Sequence, residues 1–254
     1  MKLAIITKND ETSKNCAEYI ISTGLFDIVN LNSALNNVDF IISIGGDGTI
    51  LKCVPYAMKF NAPILSLNTG NVGFLSAYSK NQITQLMDDL INNSFILQDR
   101  TILEVKLKNK KLYALNEIVV ERSHQNCQIA LFEFSIDGEE DISYSSDGCL
   151  IATPTGSTGY SYSAGGAILH PDCNVLIATA ICPRGTKANS IVYPNNKPAK
   201  ITVKKSAMPC NAYIDGIKCA EMMEGDFLTV KTSRKKLKIV KTKDFFALLN
   251  QKIN

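Results

Sequence analysis

The sequence has only two histidines, and no two of its eight cysteines are spaced as C-x-x-C. Zinc sites need Cys or His ligands at short, regular spacings, and dithiol redox sites need paired cysteines. The common zinc and dithiol motifs are therefore excluded. Cys16, Cys53, Cys149 and Cys182 stand among apolar neighbours, which is typical of free thiols that act as small hydrophobic side chains. This cysteine usage favours the reducing cytoplasm.

A strong charge of either sign is also missing. Lys and Arg number 27 and Asp and Glu number 24, which gives a net charge of +3. A nucleic-acid-binding domain would carry a clustered basic face, so this balance argues against a nucleic-acid partner. No apolar run approaches the ~18 residues of a membrane-spanning helix, and the N-terminal apolar stretch is too short for a signal peptide. We expect a cytoplasmic protein without a membrane partner.

Strand-like and helical patterns alternate along the first ~95 residues. KLAIITK, DFIISI and APILSLN are typical of buried strands. ETSKNCAEYIIST, TILKCVPYAM and SKNQITQLMDDLINNS are typical of helices, and Ser79 is a candidate N-cap for the last of them. Strands that alternate with helices predict a parallel sheet covered by helices. We therefore predict an α/β domain over residues 1–99.

The pattern changes after Arg100. Short alternating strand candidates follow, separated by turns that contain Asn, Asp or Gly, and Asp137-Gly138 and Asp215-Gly216 are typical of hairpin turns. We predict an all-β second domain over residues 100–237. The tail, residues 238–254, carries the helix-like DFFALLNQKI and is expected to pack back on the first domain.

The stretch IISIGGDGTI, residues 41–50, runs from a buried strand into a helix through three glycines and one aspartate. Consecutive backbone N–H groups at a helix N-terminus favour a phosphate, and glycines let the backbone approach it closely. A lone carboxylate there would repel phosphate unless it holds Mg²⁺ or accepts the proton of an attacking hydroxyl. Asp47 in this position therefore indicates phosphoryl transfer. The alternative is an ordinary glycine-rich turn in which Asp47 caps the helix.

Three further segments are rich in glycine or polar residues. NTGNVGFL, residues 68–75, is another transition from strand to loop, and LNEIVV, residues 115–120, carries an amide next to a carboxylate. Residues 145–172 combine short hydroxyl side chains with glycines, which suits a polar ligand that is hydrogen-bonded on several sides. Tyr160 in this segment offers a ring for stacking on a base. Each segment, taken alone, is also compatible with an ordinary turn or loop.

Taken together, the motifs IGGDGT, NTGNVGFL, LNEIVV and DGCLIATPTGSTGYSYSAGGAILHP resemble the NAD kinase family in their order and separation, over nearly the whole chain. The resemblance implies an NAD-kinase-like fold with an α/β and a β domain, and NAD bound between them. It implies transfer of a phosphoryl group from ATP, or from inorganic polyphosphate, to the 2′-hydroxyl of the adenosine ribose of NAD, which gives NADP. It further implies a divalent metal, with Mg²⁺ the expected ion and no fixed protein ligands, and a homodimer or homotetramer.

The same resemblance assigns roles to individual residues. Asp47 becomes the candidate general base. The loop expected near the phosphate donor comprises Gly45, Gly46, Gly48 and Thr49. The residues expected to bind NAD are Gly46, Asp47, Gly48, Phe74, Asn116, Glu117, Asp147, Thr158, Tyr160 and Ser163. Within this set, Asn116 and Glu117 would lie on the ribose and phosphate side, and Asp147 near the nicotinamide.

The sequence departs from the family pattern at three places. Ser145 stands where a basic residue is common, Gly159 where alanine is usual, and ICPRGTKANS, residues 181–190, replaces a segment that usually contains histidine and serine. These departures leave the placement of the phosphates and the oligomer contacts open. ATP and polyphosphate present the same terminal phosphates to the loop, so both stay open as donors, as do NAD and NADH as acceptors.

Two other functions use fewer of the motifs. A lipid kinase of the diacylglycerol type would share only the Gly-Gly-Asp-Gly loop, although residues 145–163 are rich in hydroxyls rather than apolar side chains. A non-catalytic NAD(P)-binding module would keep the pocket and lack the reaction.

Overall fold

The computed structural model of the chain describes residues 1–31, 37–71, 73–123, 128–185, 188–241 and 244–253. The chain folds into two compact units: Met1–Arg100 with Leu237–Asn254 form unit 1, and Thr101–Lys236 form unit 2. Several residues of the predicted motifs and tail lie outside the described residues: Val72, Thr186, Lys187, Thr242, Lys243 and Asn254.

Unit 1 begins with the predicted alternation of strands and helices. Its strands before residue 101 are β1 (Lys2–Thr7), β2 (Asp27–Ile28), β3 (Phe40–Ile44), β4 (Ile64–Asn68), β5 (Tyr78–Ser79) and β6 (Leu97–Arg100). The helices between them are α1 (Glu11–Ser22), α2 (Asp47–Phe60) and α3 (Ile83–Asn92). Ser79 forms a capping box with Gln82 in the 3₁₀ turn that leads into α3, which confirms Ser79 as an N-cap.

The described part of unit 2 is all-β apart from short helical turns. Its strands are β7 (Leu103–Leu107), β8 (Lys110–Ala114), β9 (Glu117–Glu121), β10 (Ala130–Ile136), β11 (Ile142–Ser146), β12 (Gly148–Ala152), β13 (Val175–Ile181), β14 (Ile191–Pro194), β15 (Ala199–Lys205), β16 (Cys210–Ile214), β17 (Ile217–Met222) and β18 (Phe227–Thr232). The turns are a 3₁₀ turn, Gly156–Thr158, and the short helix α4 (Tyr160–Ser163). The chain then returns to unit 1 through β19 (Leu237–Val240) and α5 (Phe245–Ile253).

The sheet of unit 1 has the strand order β2-β1-β3-β4-β19-β6, with β5 paired to β4. β3 and β4 are almost entirely buried, as their continuous apolar sequences predict for strands covered on both faces. The strand order reverses direction between β1 and β3, and the Gly45-Gly46 loop follows the carboxyl end of β3. Ligands of open α/β sheets bind at such a switch point, so the topology points to this loop.

Among the described residues of unit 1, the strand pairs are parallel, as predicted, with one exception. β6 pairs antiparallel with β19, which itself lies parallel to β4. The physical reason is that the partner of β6 comes from the far end of the chain, so local alternation of strands and helices carries no information about its direction. The predicted fold class, an α/β unit followed by an all-β unit, is confirmed.

Within the described ranges, the strands of unit 2 form two antiparallel sheets, β11-β10-β15-β18-β7-β8 and β14-β13-β12-β9-β16-β17. Alternate apolar side chains of both sheets, such as Phe132 and Ile118, share one buried core. The opposite face of the second sheet carries Val119 and Leu150, which pack against Leu169. The hydroxyl-rich segment after β12 therefore folds back over the outer face of this sheet.

The cysteines only partly follow the prediction that they act as buried small hydrophobes. Cys53 and Cys149 are buried and Cys16 is half-buried, whereas Cys182 is exposed. The prediction is wrong for Cys182 because this residue follows the last residue of β13 and turns out of the sheet with a φ of 48°. No helix in the described part of the chain is long and apolar enough to cross a bilayer.

Candidate active site

The loop between β3 and α2 is built around two glycines. Gly45 has a φ of 151°, and a Cβ at this position would collide with Oγ1 of Thr49 and lie 3.0 Å from Cβ of Lys8. Gly46 is the N-cap of α2 and brings no side chain to the helix start. The first helical bond is made by the Thr49 N–H to the Gly46 carbonyl, at 2.9 Å. The N–H groups of Asp47 and Gly48 precede it and point along the helix axis, where a phosphate is favoured.

Asp47 is the first residue of α2, and its carboxylate is fixed by a neighbouring loop. The N–H of Phe74 donates to Oδ2 at 2.8 Å, and the N–H of Leu75 donates to Oδ1 at 3.2 Å. The backbone of Gly73 passes so close that a Cβ there would collide with the carboxylate. Each carboxylate oxygen can accept a second hydrogen bond. A hydroxyl can therefore approach a carboxylate whose orientation is already set.

The loop that fixes Asp47 is itself attached to β4. The Ser66 hydroxyl donates to the Leu75 carbonyl at 3.0 Å and accepts the N–H of Ala77 at 2.8 Å. The Asn68 side chain closes the turn, since it accepts the N–H of Gly70 at 2.9 Å and donates to the Asn71 carbonyl at 2.7 Å. NTGNVGFL is thus the structural support of the Asp47 carboxylate.

Two predicted site residues of unit 1 have surroundings that the sequence did not indicate. Thr49 is buried, and its hydroxyl lies against Gly45, beneath the loop. Phe74 is half-buried. Its ring centroid lies 6.4 Å from that of Phe245 in α5, and Nζ of Lys252 lies 5.9 Å from the Phe74 ring. The returning end of the chain therefore packs on the residue next to Gly73.

In unit 2, Asn116 and Glu117 lie at the start of β9, between β12 and β16. On one side, the hydroxyl-rich segment is hydrogen-bonded to the backbone of this region. The Thr153 N–H donates to the Asn116 carbonyl at 2.9 Å, and the Thr153 hydroxyl donates to the Leu115 carbonyl at 2.6 Å. A Cβ on Gly156 would collide with the backbone of Asn116. Glycine is therefore required where the two segments cross.

Two polar atoms at this crossing are buried without a partner in the described structure: Oδ1 of Asn116 and Oε2 of Glu117. Gly159 lies over both side chains, since a Cβ on it would be 3.5 Å from Oε2 of Glu117 and 3.6 Å from Nδ2 of Asn116. Buried polar atoms are normally hydrogen-bonded, so an unpaired pair of this kind indicates a ligand. The alanine usual in the family would add its methyl group directly above this pair.

The Glu117 carboxyl group is held in an environment that favours its neutral form. Burial raises its pKa to about 8, and the nearby negative charge of Asp215 contributes to the shift. Asp215 lies in the turn between β16 and β17, where φ is 47° for Asp215 and 79° for Gly216, so the predicted hairpin turn is confirmed. Its carboxylate accepts the N–H groups of Leu115, Asn116 and Glu117. The sequence patterns do not predict this contact, because the residues are about a hundred positions apart.

Asp147 lies at the other end of the same strand pair. β9 and β12 are antiparallel, with Glu117 opposite Ala152 and Glu121 opposite Gly148. Asp147 precedes Gly148 and therefore lies about 17 Å along the strands from Glu117. Its Oδ1 accepts Nε–H of Arg122 at 2.6 Å, an ion pair that the sequence did not predict. Ser145, where the family often has a basic residue, is exposed on β11.

The remaining predicted residues follow the crossing along the hydroxyl-rich segment. Thr158 is half-buried, and its hydroxyl donates to the Thr155 carbonyl at 3.3 Å. Tyr160 and Ser163, at the two ends of α4, are exposed. The structure thus brings Asn116 and Glu117 together beneath Gly159, with Thr158 and Tyr160 next to it in sequence. Asp147 is set apart from this group.

The raised pKa of Glu117 predicts a pH-dependent stability. In the native state a carboxyl group with a raised pKa binds its proton more tightly than in the unfolded state, so the free energy of unfolding falls as pH rises through this range. The pKa is raised to about 6 for Asp215 and to about 8 for Glu117. Between pH 6 and pH 8, Glu117 therefore dominates the decrease in the free energy of unfolding. The slope is at most about 1.4 kcal/mol per pH unit. We expect Glu117→Gln to flatten the fall in Tm of the ligand-free protein over this interval, measured by calorimetry.

A matched control is available for this measurement. Glu104 is equally buried, but it is paired with Lys111 and Lys231. These lysines hold the pKa of Glu104 below its usual value against the opposing effect of burial. Glu104→Gln is therefore expected to lower stability without changing its slope above pH 6. If Tm falls equally with pH in the wild type and in Glu117→Gln, the raised pKa of Glu117 is contradicted.

Among the described residues, no three His, Cys, Asp or Glu side chains are close enough together to hold a metal ion. Both oxygens of Asp47 already accept a backbone N–H. The donor set of the described residues therefore does not form a metal site from protein ligands alone.

Comparison with known proteins identifies the family. The model described as the ATP-NAD kinase N-terminal domain matches residues 7–95, and the one described as the ATP-NAD kinase C-terminal domain matches residues 115–242. NAD kinase of Caldicellulosiruptor saccharolyticus is 38% identical over 219 residues, which cover 85% of this chain and 82% of that protein. NAD kinase of Carboxydothermus hydrogenoformans is 32% identical over 244 residues, which cover 92% of this chain and 87% of that protein.

Solved structures agree with these relatives. The crystal structure of yeast NADH kinase complexed with NADH matches with a TM-score of 0.86 and 26% identity, over 100% of this chain and 87% of that chain. The structure of an NAD kinase from Archaeoglobus fulgidus in complex with ATP matches with a TM-score of 0.82 and 26% identity, over 100% and 98%. The resemblance inferred from the motifs is thereby confirmed, and the chain belongs to the NAD kinase family.

Proposed function

We propose that this chain transfers the terminal phosphoryl group of ATP to the 2′-hydroxyl of the adenosine ribose of NAD, which yields NADP and ADP. Membership of the NAD kinase family supports the reaction. The observation that carries the proposal is the Asp47 carboxylate, fixed by the N–H groups of Phe74 and Leu75 at the N-terminus of α2. A base for the hydroxyl and a binding place for phosphate lie side by side there.

The phosphate donor is assigned to the loop formed by Gly45, Gly46, Gly48 and Thr49. The N-terminus of α2 carries partial positive charge, and Gly46 and Gly48 leave open space where a Cβ would stand. Thr49 contributes by supporting Gly45 from beneath. The ATP bound by the Archaeoglobus fulgidus enzyme supports ATP as the donor. Polyphosphate is the other donor to be tested.

The acceptor is assigned to Asn116, Glu117 and the segment that crosses them. The unpartnered oxygens of Asn116 and Glu117 are suited to hydrogen-bond the hydroxyl groups of a ribose, the Asn116 amide oxygen as an acceptor and the neutral Glu117 carboxyl as a donor or an acceptor. The adenosine is assigned to Thr158, Tyr160 and Ser163, since the exposed ring of Tyr160 offers a stacking surface. Asp147 would be near the nicotinamide, and Gly46, Gly48 and Phe74 would complete the NAD-binding set. The NADH complex of the yeast enzyme makes NADH an acceptor to be tested beside NAD.

In the proposed reaction Asp47 acts as the general base. As the ribose oxygen forms a bond to the γ-phosphorus, the bond from that phosphorus to the bridging oxygen breaks and ADP leaves with the electron pair. The 2′-hydroxyl proton passes to the Asp47 carboxylate. The hydrogen bonds from Phe74 and Leu75 hold the carboxylate in place, so little reorganisation is needed at the moment of transfer. A divalent ion such as Mg²⁺ would enter with the phosphates of ATP rather than in a protein-built site.

The organisation of the chain forms part of the same proposal. We retain an α/β domain over 1–99 joined by the tail 238–254, and an NAD-binding domain over 100–237; the unit boundaries after Arg100 and Lys236 support it. A homodimer or homotetramer is retained as what the family resemblance implies. A cytoplasmic location is supported by the free thiols of the described cysteines.

The direct test is an end-point assay with purified protein, NAD, Mg²⁺ and either ATP or polyphosphate. NADP is read through an NADP-specific dehydrogenase. We expect NADP to form with ATP. Phosphorylation of diacylglycerol in micelles without activity on NAD would instead support a lipid kinase. NAD binding by calorimetry without NADP formation would support a non-catalytic module.

A further inference from the structure

Asp215 contacts the NAD-binding segment without being part of it. Its Oδ2 accepts the N–H of Leu115 at 2.8 Å, and its Oδ1 accepts the N–H groups of Asn116 at 2.8 Å and Glu117 at 3.1 Å. In return, the Asp215 N–H donates to the Glu117 carbonyl at 3.1 Å. One turn residue therefore makes four hydrogen bonds to three consecutive residues.

These bonds complete a two-sided attachment of the segment. From the other side, Thr153 bonds the carbonyls of Leu115 and Asn116. The Asp215 carboxylate thus accepts hydrogen bonds from the backbone N–H groups of this short segment, and Thr153 donates hydrogen bonds to its carbonyls. With both peptide edges fixed, the Asn116 and Glu117 side chains have little freedom to change direction.

The turn itself does not require a carboxylate. Asp137 occupies the same place in the Asp-Gly turn after β10, also with positive φ (56°), and its carboxylate lies at the surface, where it pairs with Lys197. Asparagine adopts such conformations as readily as aspartate. The Asp215 carboxylate, by contrast, is placed close to a second buried carboxyl group, that of Glu117, and burial raises the pKa of both. Two acids in one buried place are unfavourable, so the carboxylate has a purpose beyond the turn.

We propose that Asp215 is a positioning residue of the active site. Its carboxylate accepts hydrogen bonds from the N–H groups of residues 115–117 and so orients the Asn116 and Glu117 side chains toward the acceptor nucleotide. It does not touch the substrate. The assignment rests on the proposed function for the identity of the nucleotide. It predicts that loss of the carboxylate weakens the acceptor site selectively and leaves the donor site unchanged.

The test compares Asp215→Asn with wild type in kcat, in KM for NAD and in KM for ATP, and measures Kd for NAD by calorimetry. Asparagine keeps the turn but offers one acceptor oxygen in place of two. We expect KM and Kd for NAD to rise by about 10- to 100-fold, the scale expected when binding groups are misplaced. KM for ATP should change by less than about twofold, since no contact to the loop after β3 is altered. Asp137→Asn is the matched control and should leave all these constants unchanged.

An unchanged KM and Kd for NAD in folded Asp215→Asn would overturn the proposal. So would equal changes in both KM values, which indicate a general structural defect. Should Asp215→Asn fail to fold, Asp215→Glu replaces it, because it keeps the charge but displaces the oxygens; a normal Kd for NAD in that variant overturns the proposal equally. Failure of the proposed function would give a different result, since the wild type would then make no NADP. The comparison of Kd for NAD between wild type and variant would still test the role of Asp215.

Discussion

Asp47→Asn is expected to lower the turnover number for NADP formation by about 10²- to 10⁴-fold and to leave the affinity for NAD largely intact. The carboxamide is close to the carboxylate in shape, but it cannot accept the proton of the 2′-hydroxyl. Its oxygen can still accept one of the two N–H groups, from Phe74 or Leu75, that fix the native carboxylate. The measurement is kcat with saturating NAD and ATP, together with Kd for NAD by calorimetry.

Asp244→Asn provides the matched control for this variant. Asp244 also accepts two backbone N–H groups at a helix start in unit 1, those of Phe246 and Ala247. Its replacement should change turnover by less than about threefold, because a helix cap contributes to stability on the order of 1 kcal/mol and not to the reaction. Full turnover in Asp47→Asn would remove Asp47 from the role of base.

Gly73→Ala is expected to reduce turnover by at least about 10²-fold, although the substituted residue bears no reactive group. The added methyl group would occupy the position of the Asp47 carboxylate, so either the side chain or the loop must move. In both cases the carboxylate loses the orientation set by Phe74 and Leu75. We would measure kcat, with thermal unfolding recorded on the same sample to show that the protein is folded.

Gly70→Ala separates this effect from a general sensitivity of the loop. Gly70 lies in the same segment, but a Cβ there meets only Oδ1 of Asn68 at 4.0 Å. Its replacement should leave turnover within about threefold of wild type. If Gly73→Ala retains wild-type turnover while folded, the position of the Asp47 carboxylate does not matter and the proposed geometry is wrong.

The local parts of this architecture could be predicted from the sequence. A short apolar run locates β3 and helical spacing locates α2, and the glycines between them place Asp47 at the start of the helix. The capping box of Ser79 and the turn at Asp215-Gly216 follow from short-range chemistry in the same way. In each case the signal and the structure lie within a few residues of each other.

The parts that could not be predicted depend on contacts between distant residues. The antiparallel pairing of β6 depends on β19, which lies more than a hundred residues later. The bonds from Asp215 to the backbone of 115–117 span 98 to 100 residues. Nearly every residue type has a backbone N–H group, so a carboxylate that binds such groups does not require particular residues at the partner positions. The sequence of residues 115–117 therefore does not indicate this contact. From its sequence context alone, Asp215 is therefore a turn residue and nothing more.

Asp47 and Glu117, two of the acidic residues assigned to the site, are held in different ways, which fits the difference in their proposed roles. Asp47 is half-buried, and both of its oxygens accept backbone N–H groups at a helix N-terminus. Glu117 is buried, and one of its oxygens has no partner in the described structure. The first arrangement suits a carboxylate that meets a reacting hydroxyl. The second suits a group that completes its hydrogen bonds only when a ligand arrives.

In the proposed reaction the terminal phosphoryl group of ATP passes to the 2′-hydroxyl of NAD, and the position of the new phosphate can be observed directly. The experiment is ³¹P NMR of the product formed from NAD, ATP and Mg²⁺ by the wild-type protein, with Asp47→Asn run in parallel. We expect a phosphomonoester on the 2′-oxygen of the adenosine ribose, formed together with ADP and strongly reduced in the variant. A phosphate on another hydroxyl, or hydrolysis of ATP with NAD unchanged, would show that the proposed reaction is wrong.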